Sequence, residues 1–178
     1  MTAIPDSLVI EDYLFADNDG VPNNPSLPLI VYRGALKTAG DAATSRIALF
    51  DRNGWTGAWT NGVYSHHHYH SSAHEVLGIA AGWVRVRLGG EAGEMVELCA
   101  GDVVVIPAGV SHKNECASSD LLVVGAYPRG QRPDMCRPGA ADDNRALVRI
   151  AAVPLPAGDP LFGPSGPLLE RWRSEYRG

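Results

Sequence analysis

The sequence predicts a mainly β fold: an antiparallel barrel or sandwich carrying a short N-terminal helix and an irregular C-terminal arm. Three observations lead there. From Trp55 to Tyr127, short runs rich in β-branched and aromatic residues recur at nearly regular spacing, with Gly, Pro, Ser and Asn between them. Inside that stretch Trp83-Val-Arg-Val-Arg-Leu88 alternates apolar and charged side chains, as a strand with one covered face does. Finally, 178 residues, 45% of them hydrophobic, are long enough for one globular domain with a real core and too short for two comfortable ones. We therefore expect one domain, with residues 1–54 as an arm and helix, 55–130 as the barrel and 131–178 as an extension.

The elements follow in order. Asp6 to Phe15 mixes apolar and acidic residues, with Leu8 and Ile10, then Tyr13 and Phe15, suggesting short extended pieces. Asp17 to Pro28 is dense in Asn, Asp, Gly and Pro and is expected as loop. Leu29-Ile-Val-Tyr-Arg33 has strand composition. Between Gly40 and Arg52, Ala43, Ile47, Leu49 and Phe50 suit a short amphipathic helix, ended by a left-handed cap at Asn53-Gly54 and lying as a lid on the barrel.

Eight strands are then expected: Trp55 to Tyr64, His67 to His70, Glu75 to Ala80, Trp83 to Leu88, Met95 to Cys99, Asp102 to Ile106, His112 to Glu115 and Leu121 to Tyr127. In the fourth, Val84, Val86 and Leu88 should face inward and Arg85 and Arg87 outward. Val103 to Ile106 is apolar throughout, as a strand covered on both faces would be. Asp143 to Ala152 suits a short helix, whereas Pro128 to Gly139 and Pro154 to Pro167 are too rich in proline and glycine for regular structure. Such lengths of loop are expected to drape over a surface.

Composition excludes several roles. Fifteen Lys and Arg against 20 Asp and Glu, with the basic residues scattered, build no stripe for a phosphate backbone, so nucleic acid is not expected as a partner. Cys99, Cys116 and Cys136 are widely spaced and form no Cys-x-x-Cys, against both a disulfide scaffold and a zinc knuckle, and each is expected as a small buried or half-buried apolar residue. No apolar run reaches bilayer length and the first residues lack a basic leader, so no membrane partner and a cytoplasmic location are expected.

All six histidines lie between His66 and His112. Residues two apart on a strand share a face, so His68 and His70 can present two imidazoles to one side. Glu75 has the other parity, so Ser71 and Ser72 must turn or bulge to bring its carboxylate to the same cavity. His112 follows a buried strand and a Pro/Gly turn. His66, His67 and His74 are pointed elsewhere by parity, and His74 is placed in support of the site. Asn114 shares the face of His112, while Tyr64 and Trp59 are candidates for the barrel mouth. Three imidazoles and a carboxylate suit one divalent transition ion, Fe(II), Mn(II), Zn(II), Ni(II) or Cu(II), with positions left open.

These stretches resemble the two motifs of the cupin superfamily. The first is met at Gly62, His68, His70, Glu75 and Gly82, the second at Gly101, Pro107, Gly109 and His112. The Asn that usually closes the second motif is absent, Cys116 standing in its place. Asp19 to Pro25, Asn53-Gly54-Trp55, His67 to His70, Gly125-Ala-Tyr-Pro128, and Pro154-Leu-Pro156 with Asp159-Pro160 are similar to the uncharacterised single-domain bacterial cupins of the YjlB-like group, over most of the chain. The resemblance implies a cupin barrel (a double-stranded β-helix or jelly roll), the metal set His68, His70, Glu75 and His112, and a homodimer.

Two functions fit this set. As a metal-dependent enzyme, the chain would act on a small organic molecule by dioxygenase-type or isomerase-type chemistry, with Glu75 as ligand or base. As a binding or sensing module, it would hold a small-molecule ligand without turnover. A purely structural ion is disfavoured, because structural sites usually fill every position with Cys or His.

Overall fold

Strand parity divides this chain's apolar residues between two cores, and that division positions the site. The computed structural model describes residues 8–18, 20–139 and 143–175. Its strands are β1 (Val9–Phe15), β2 (Asn24–Arg33), β3 (Trp55–Asn61), β4 (Glu75–Ala81), β5 (Trp83–Leu88), β6 (Glu94–Cys99), β7 (Val103–Ile106), β8 (His112–Ala117) and β9 (Leu122–Pro128). The helices are α1 (Ala42–Arg52), α2 (Asp143–Ala152) and α3 (Pro167–Glu175). One sheet runs β1-β2-β7-β4-β9-β3, the other β6-β5-β8, and their ladders are antiparallel.

Leu29, Val31, Leu77, Ile79, Val104, Ile106 and Val123 point from the larger sheet to Val84, Val86, Leu88, Val96 and Leu98 of the smaller one, filling the barrel. Their neighbours Ile30, Tyr32, Val76, Val103, Val105, Val124 and Ala126 point outward beneath Leu49 and Phe50 of α1 and Leu168 and Trp172 of α3. Both faces of the central strands are therefore covered, which is why β4 and β7 read as continuous apolar runs. α1 lies on the barrel as expected, with Asp41 capping its start through Thr44 N at 3.0 Å and Gly54 at φ +83° leaving its end. Among the described residues no helix is long and apolar enough to cross a membrane.

Five expectations need correction. β2 begins at Asn24, inside the expected loop. It tolerates Pro25 and Pro28 because β1 pairs with Asn24 and with residues 29–33, and β7 with residues 30–32, so neither ladder asks a proline for an N–H. The third strand stops at Asn61 rather than Tyr64, and residues 67–70 form no strand, only single bridges from His68 to His112 and from Tyr69 to Cys136. The C-terminal arm is not wholly irregular, since α3 starts at Pro167, buries Leu169 and turns Leu168 and Trp172 into the outer core. Cys99 and Cys116 are exposed. In β6 the inward positions belong to Val96 and Leu98, which leaves Cys99 facing out.

The arm is tied down by polar contacts as well. Trp172 Nε1 donates to the carbonyl of Pro28 at 2.9 Å. Asp159, fully buried, accepts from the Tyr32 hydroxyl at 2.6 Å and from the amides of Leu161, Phe162 and Leu168. A buried carboxylate without such donors would cost several kcal/mol, so these bonds allow it to hold the arm against β2.

Candidate metal centre

The four candidate ligands arrive on three chain segments, and main-chain hydrogen bonds join those segments. His68 and His70 lie on the connection from β3 to β4, Glu75 opens β4, and His112 opens β8. The amides and carbonyls of His68 and His112 pair at 3.3 and 2.9 Å, and Gly109 N donates to the carbonyl of His70 at 2.8 Å. Gly109 sits at φ +93°, where a Cβ would strike the carbonyl of Asn23, so the second turn needs glycine to approach so closely. Between His70 and Glu75, Ser71 and Ser72 make a bend held by Asp134, whose Oδ1 accepts from both amides at 2.7 and 3.3 Å. That bend changes the parity and brings Glu75 to the imidazoles' side.

The imidazole nitrogens of His68, His70 and His112 lie within 4.8 Å of one another. Each Nδ1 faces a main-chain carbonyl: His66 for His68 at 3.2 Å, Asp134 for His70, and Val110 for His112 at 3.2 Å. A carbonyl can only accept, so each Nδ1 carries the proton and each Nε2 presents a lone pair. Glu75, 2% exposed, sets Oε2 at 3.3 Å from Nε2 of His70 and 3.2 Å from Nε2 of His112. In this tautomer the Nε2 lone pairs and the Glu75 carboxylate converge on one point, where a cation can be held. Three nitrogens and one carboxylate oxygen, with carbonyls orienting the rings from behind, fit a borderline divalent ion.

Burial and the ring–carboxylate contacts set the charges in the cluster. Burial holds His68 down to about 3, assisted by His112. Burial also pushes His70 down, yet Glu75 together with Asp134 outweighs it and the net direction is up. For Glu75, burial pushes upward and the His112 and His70 rings prevail, so it stays a carboxylate.

His68, His70 and Glu75 form the floor of a cavity of about 360 Å³ whose walls include Trp59, Val63, Tyr64, Leu77, Tyr127 and Met135, with His112 behind them. Tyr64 meets the His68 ring edge-on at 5.2 Å between centroids and stacks on His66 at 5.1 Å. Trp59 Nε1 donates to the Tyr127 hydroxyl at 2.8 Å. Burial and then the Glu75 carboxylate push Tyr127 up, so it stays protonated beside the floor.

Other residues singled out in the sequence stand elsewhere. His74 is fully buried on the opposite side of its segment, where Nδ1 accepts from Ala108 N at 2.9 Å and the ring packs 4.7 Å from that of Trp172. It braces the second turn and does not line the cavity. Asn114 is half-buried, its amide donates to the carbonyl of Tyr64 at 2.8 Å, and its side chain lies outside the cavity wall. The missing Asn at position 116 would itself be exposed, since Cys116 is. His67 turns to Ser111 Oγ at 3.1 Å and Glu91 at 3.2 Å.

Three contributors escaped the sequence reading. Tyr127 shares the inward parity of Val123 and Gly125 on β9, a signal that was available. Met135 and Asp134 belong to a loop with no periodicity, and nothing in the sequence marks them.

A protein-family model described as "Cupin domain" matches residues 58–124. The uncharacterized protein YjlB of Bacillus subtilis (strain 168) is 41% identical over 162 residues, covering 91% of this chain and 96% of its own. Among solved structures, acireductone dioxygenase from Bacillus anthracis with a cadmium ion in its active centre overlaps 51% of this chain and 62% of its own at 17% identity and a TM-score of 0.36. The epimerase RmlC from Legionella pneumophila, in complex with dTDP-4-keto-L-rhamnose, overlaps 93% and 91% at 15% identity and a TM-score of 0.40. At these values neither overlap carries an argument about function. The two motifs, the three-histidine cluster on a β-barrel floor and the match to YjlB along nearly its whole length lead to one assignment: the chain belongs to the cupin family, in its YjlB-like group.

Proposed function

We propose that this cupin is a metal-dependent enzyme that acts on a small organic molecule, with one divalent transition ion held by His68, His70, His112 and Glu75. The observation that carries this reading is the convergence of three imidazoles, each with Nδ1 tied to a carbonyl, on a buried carboxylate. A bound ion of this kind supplies Lewis acidity and, if it is iron or manganese, redox chemistry.

The chain's own groups divide the remaining work. Three Nε2 atoms hold the ion, and Glu75 Oε2 either completes the set or takes a proton from the substrate. Trp59 donates into the Tyr127 oxygen and the Tyr127 hydroxyl faces the Glu75 carboxylate, so Tyr127 is placed to donate to that carboxylate or to a substrate oxygen beside it. Val63 and Leu77 make the walls apolar, which strengthens each of these interactions.

Metal analysis of the purified chain, followed by oxygen-electrode assays of the Fe(II)-loaded protein with 1,2-diols, β-diketones and thiol acids, tests the reading. Turnover of one class is the expected result. Bound metal with no turnover across metals and substrates would move the assignment to a non-catalytic small-ligand module, and absence of metal after loading would end it. A homodimer is part of the proposal, supported by Val9 and Leu14, exposed on the edge strand β1. Sedimentation velocity checks it.

A further inference from the structure

The cavity wall is chemically one-sided. Among the described residues no lysine or arginine lines it, and apart from the imidazoles its one ionisable side chain of full charge is Glu75. A phosphate or a second carboxylate bound there would meet no guanidinium or ammonium, and burying such an anion unpaired is costly. On the metal reading above, a divalent ion and the Glu75 carboxylate together leave a single positive charge. One deprotonated oxygen of a chelator cancels it, and a multiply charged substrate overshoots.

The rest of the wall is aromatic and apolar, and parts of it are held rigidly. Gly125 has no Cβ where the Trp59 indole lies, and a methyl group there would collide with the ring. The hydrogen bond to Tyr127 fixes the indole from its other end. Tyr64 and Met135, 55% and 52% exposed, stand at the mouth. Two large apolar side chains left this open beside a buried polar floor form a surface that a ligand's apolar body would cover. The volume of about 360 Å³ is at the small end of the range of roughly 300–1,000 Å³ for ligand pockets.

We infer that the cavity takes a small chelator with a planar apolar body and at most one negative charge when bound, an aromatic vicinal diol that gives up one proton to solvent being the simplest member, and rejects phosphorylated and multiply carboxylated molecules. Its two oxygens sit over the histidine floor, and its body lies between Trp59, Tyr64 and Met135. The chelating head rests on the metal reading; the preference for the body rests on the wall alone.

Isothermal titration calorimetry of the Zn(II)-loaded protein, which is redox-silent, tests this with catechol, glycolate and 2-phosphoglycolate as probes. Catechol is expected to bind about tenfold more tightly than either of the others, as one good aromatic contact provides. Tyr64→Ser and Met135→Ser, both at exposed positions that do not threaten the fold, should each weaken catechol by several-fold up to about tenfold, while glycolate affinity and zinc content stay unchanged. Tighter binding of 2-phosphoglycolate, or unchanged catechol affinity in both variants, overturns the inference and leaves the metal reading standing. Catechol binding that depends on Tyr64 in a protein unable to hold zinc would do the reverse.

Discussion

The main-chain carbonyl of Asp134 receives the Nδ1 hydrogen of His70, across 64 residues of sequence. The Asp134 carboxylate is in turn gripped by the amide and hydroxyl of Ser71 and the amide of Ser72, while Ser72 Oγ accepts from Asp134 N at 3.0 Å. A loop that contributes no ligand thereby aims one. Asp134→Ala keeps the carbonyl but frees the loop, so metal affinity should fall by about 10- to 100-fold with all four ligands intact. Competition against a chromogenic chelator measures it, and an unchanged affinity would refute the bracing role.

His70→Ala should abolish stoichiometric metal binding, and the wild-type protein's metal-dependent rise in melting temperature should vanish with it. His66→Ala should do neither, because the His66 side chain stacks on Tyr64 and only its carbonyl serves the site. Plasma emission spectrometry and differential scanning fluorimetry read both. Equal metal loss in the two variants would break the assignment.

Trp172 is fully buried between His74 and the outer face of the larger sheet. Trp172→Ala should destabilise the chain by about 3–5 kcal/mol, the usual range for emptying a large aromatic site. Urea denaturation gives the value. A loss below about 1 kcal/mol would mean that α3 detaches without affecting the barrel.

Acid should loosen the β1 edge. Arg33 holds Glu11 at 2.7 Å and, with a smaller opposing effect of burial, keeps its carboxyl below the usual value of 4.5. A carboxyl lowered on folding adds stability that is present above 4.5 and lost as pH falls through its folded value. The pair is partly exposed, so the contribution should stay below about 1 kcal/mol. Between pH 5 and pH 3 the protection factors of β1 amides, measured against the intrinsic exchange rate at each pH, should fall more in the wild type than in Glu11→Gln, where the pair is already broken.

Much of the fold was legible in local pattern. The alternation in β5, the apolar run of β7 and the spaced signals of α1 each encode one element without reference to the rest. The four side chains picked out by spacing stand together because spacing is what strand parity and a two-residue bend act on. What stayed hidden depends on distant partners. β2 begins at Asn24 because of which neighbours pair where, which prolines in the sequence obscure. α3 was marked by Gly166-Pro167 and the apolar trio of Leu168, Leu169 and Trp172, but the preceding proline-rich run masked it. Asp134 and Met135 have value only through a loop's return to the barrel, and no local period records that.

The matched cupin segment ends at residue 124, yet Tyr127, Asp134 and Met135 of the cavity and its bracing come after it. A minimal transplant of residues 58–124 into another scaffold would carry every candidate ligand while leaving one imidazole without its aim and the cavity without a side. Anyone repurposing this centre must move the returning loop with it.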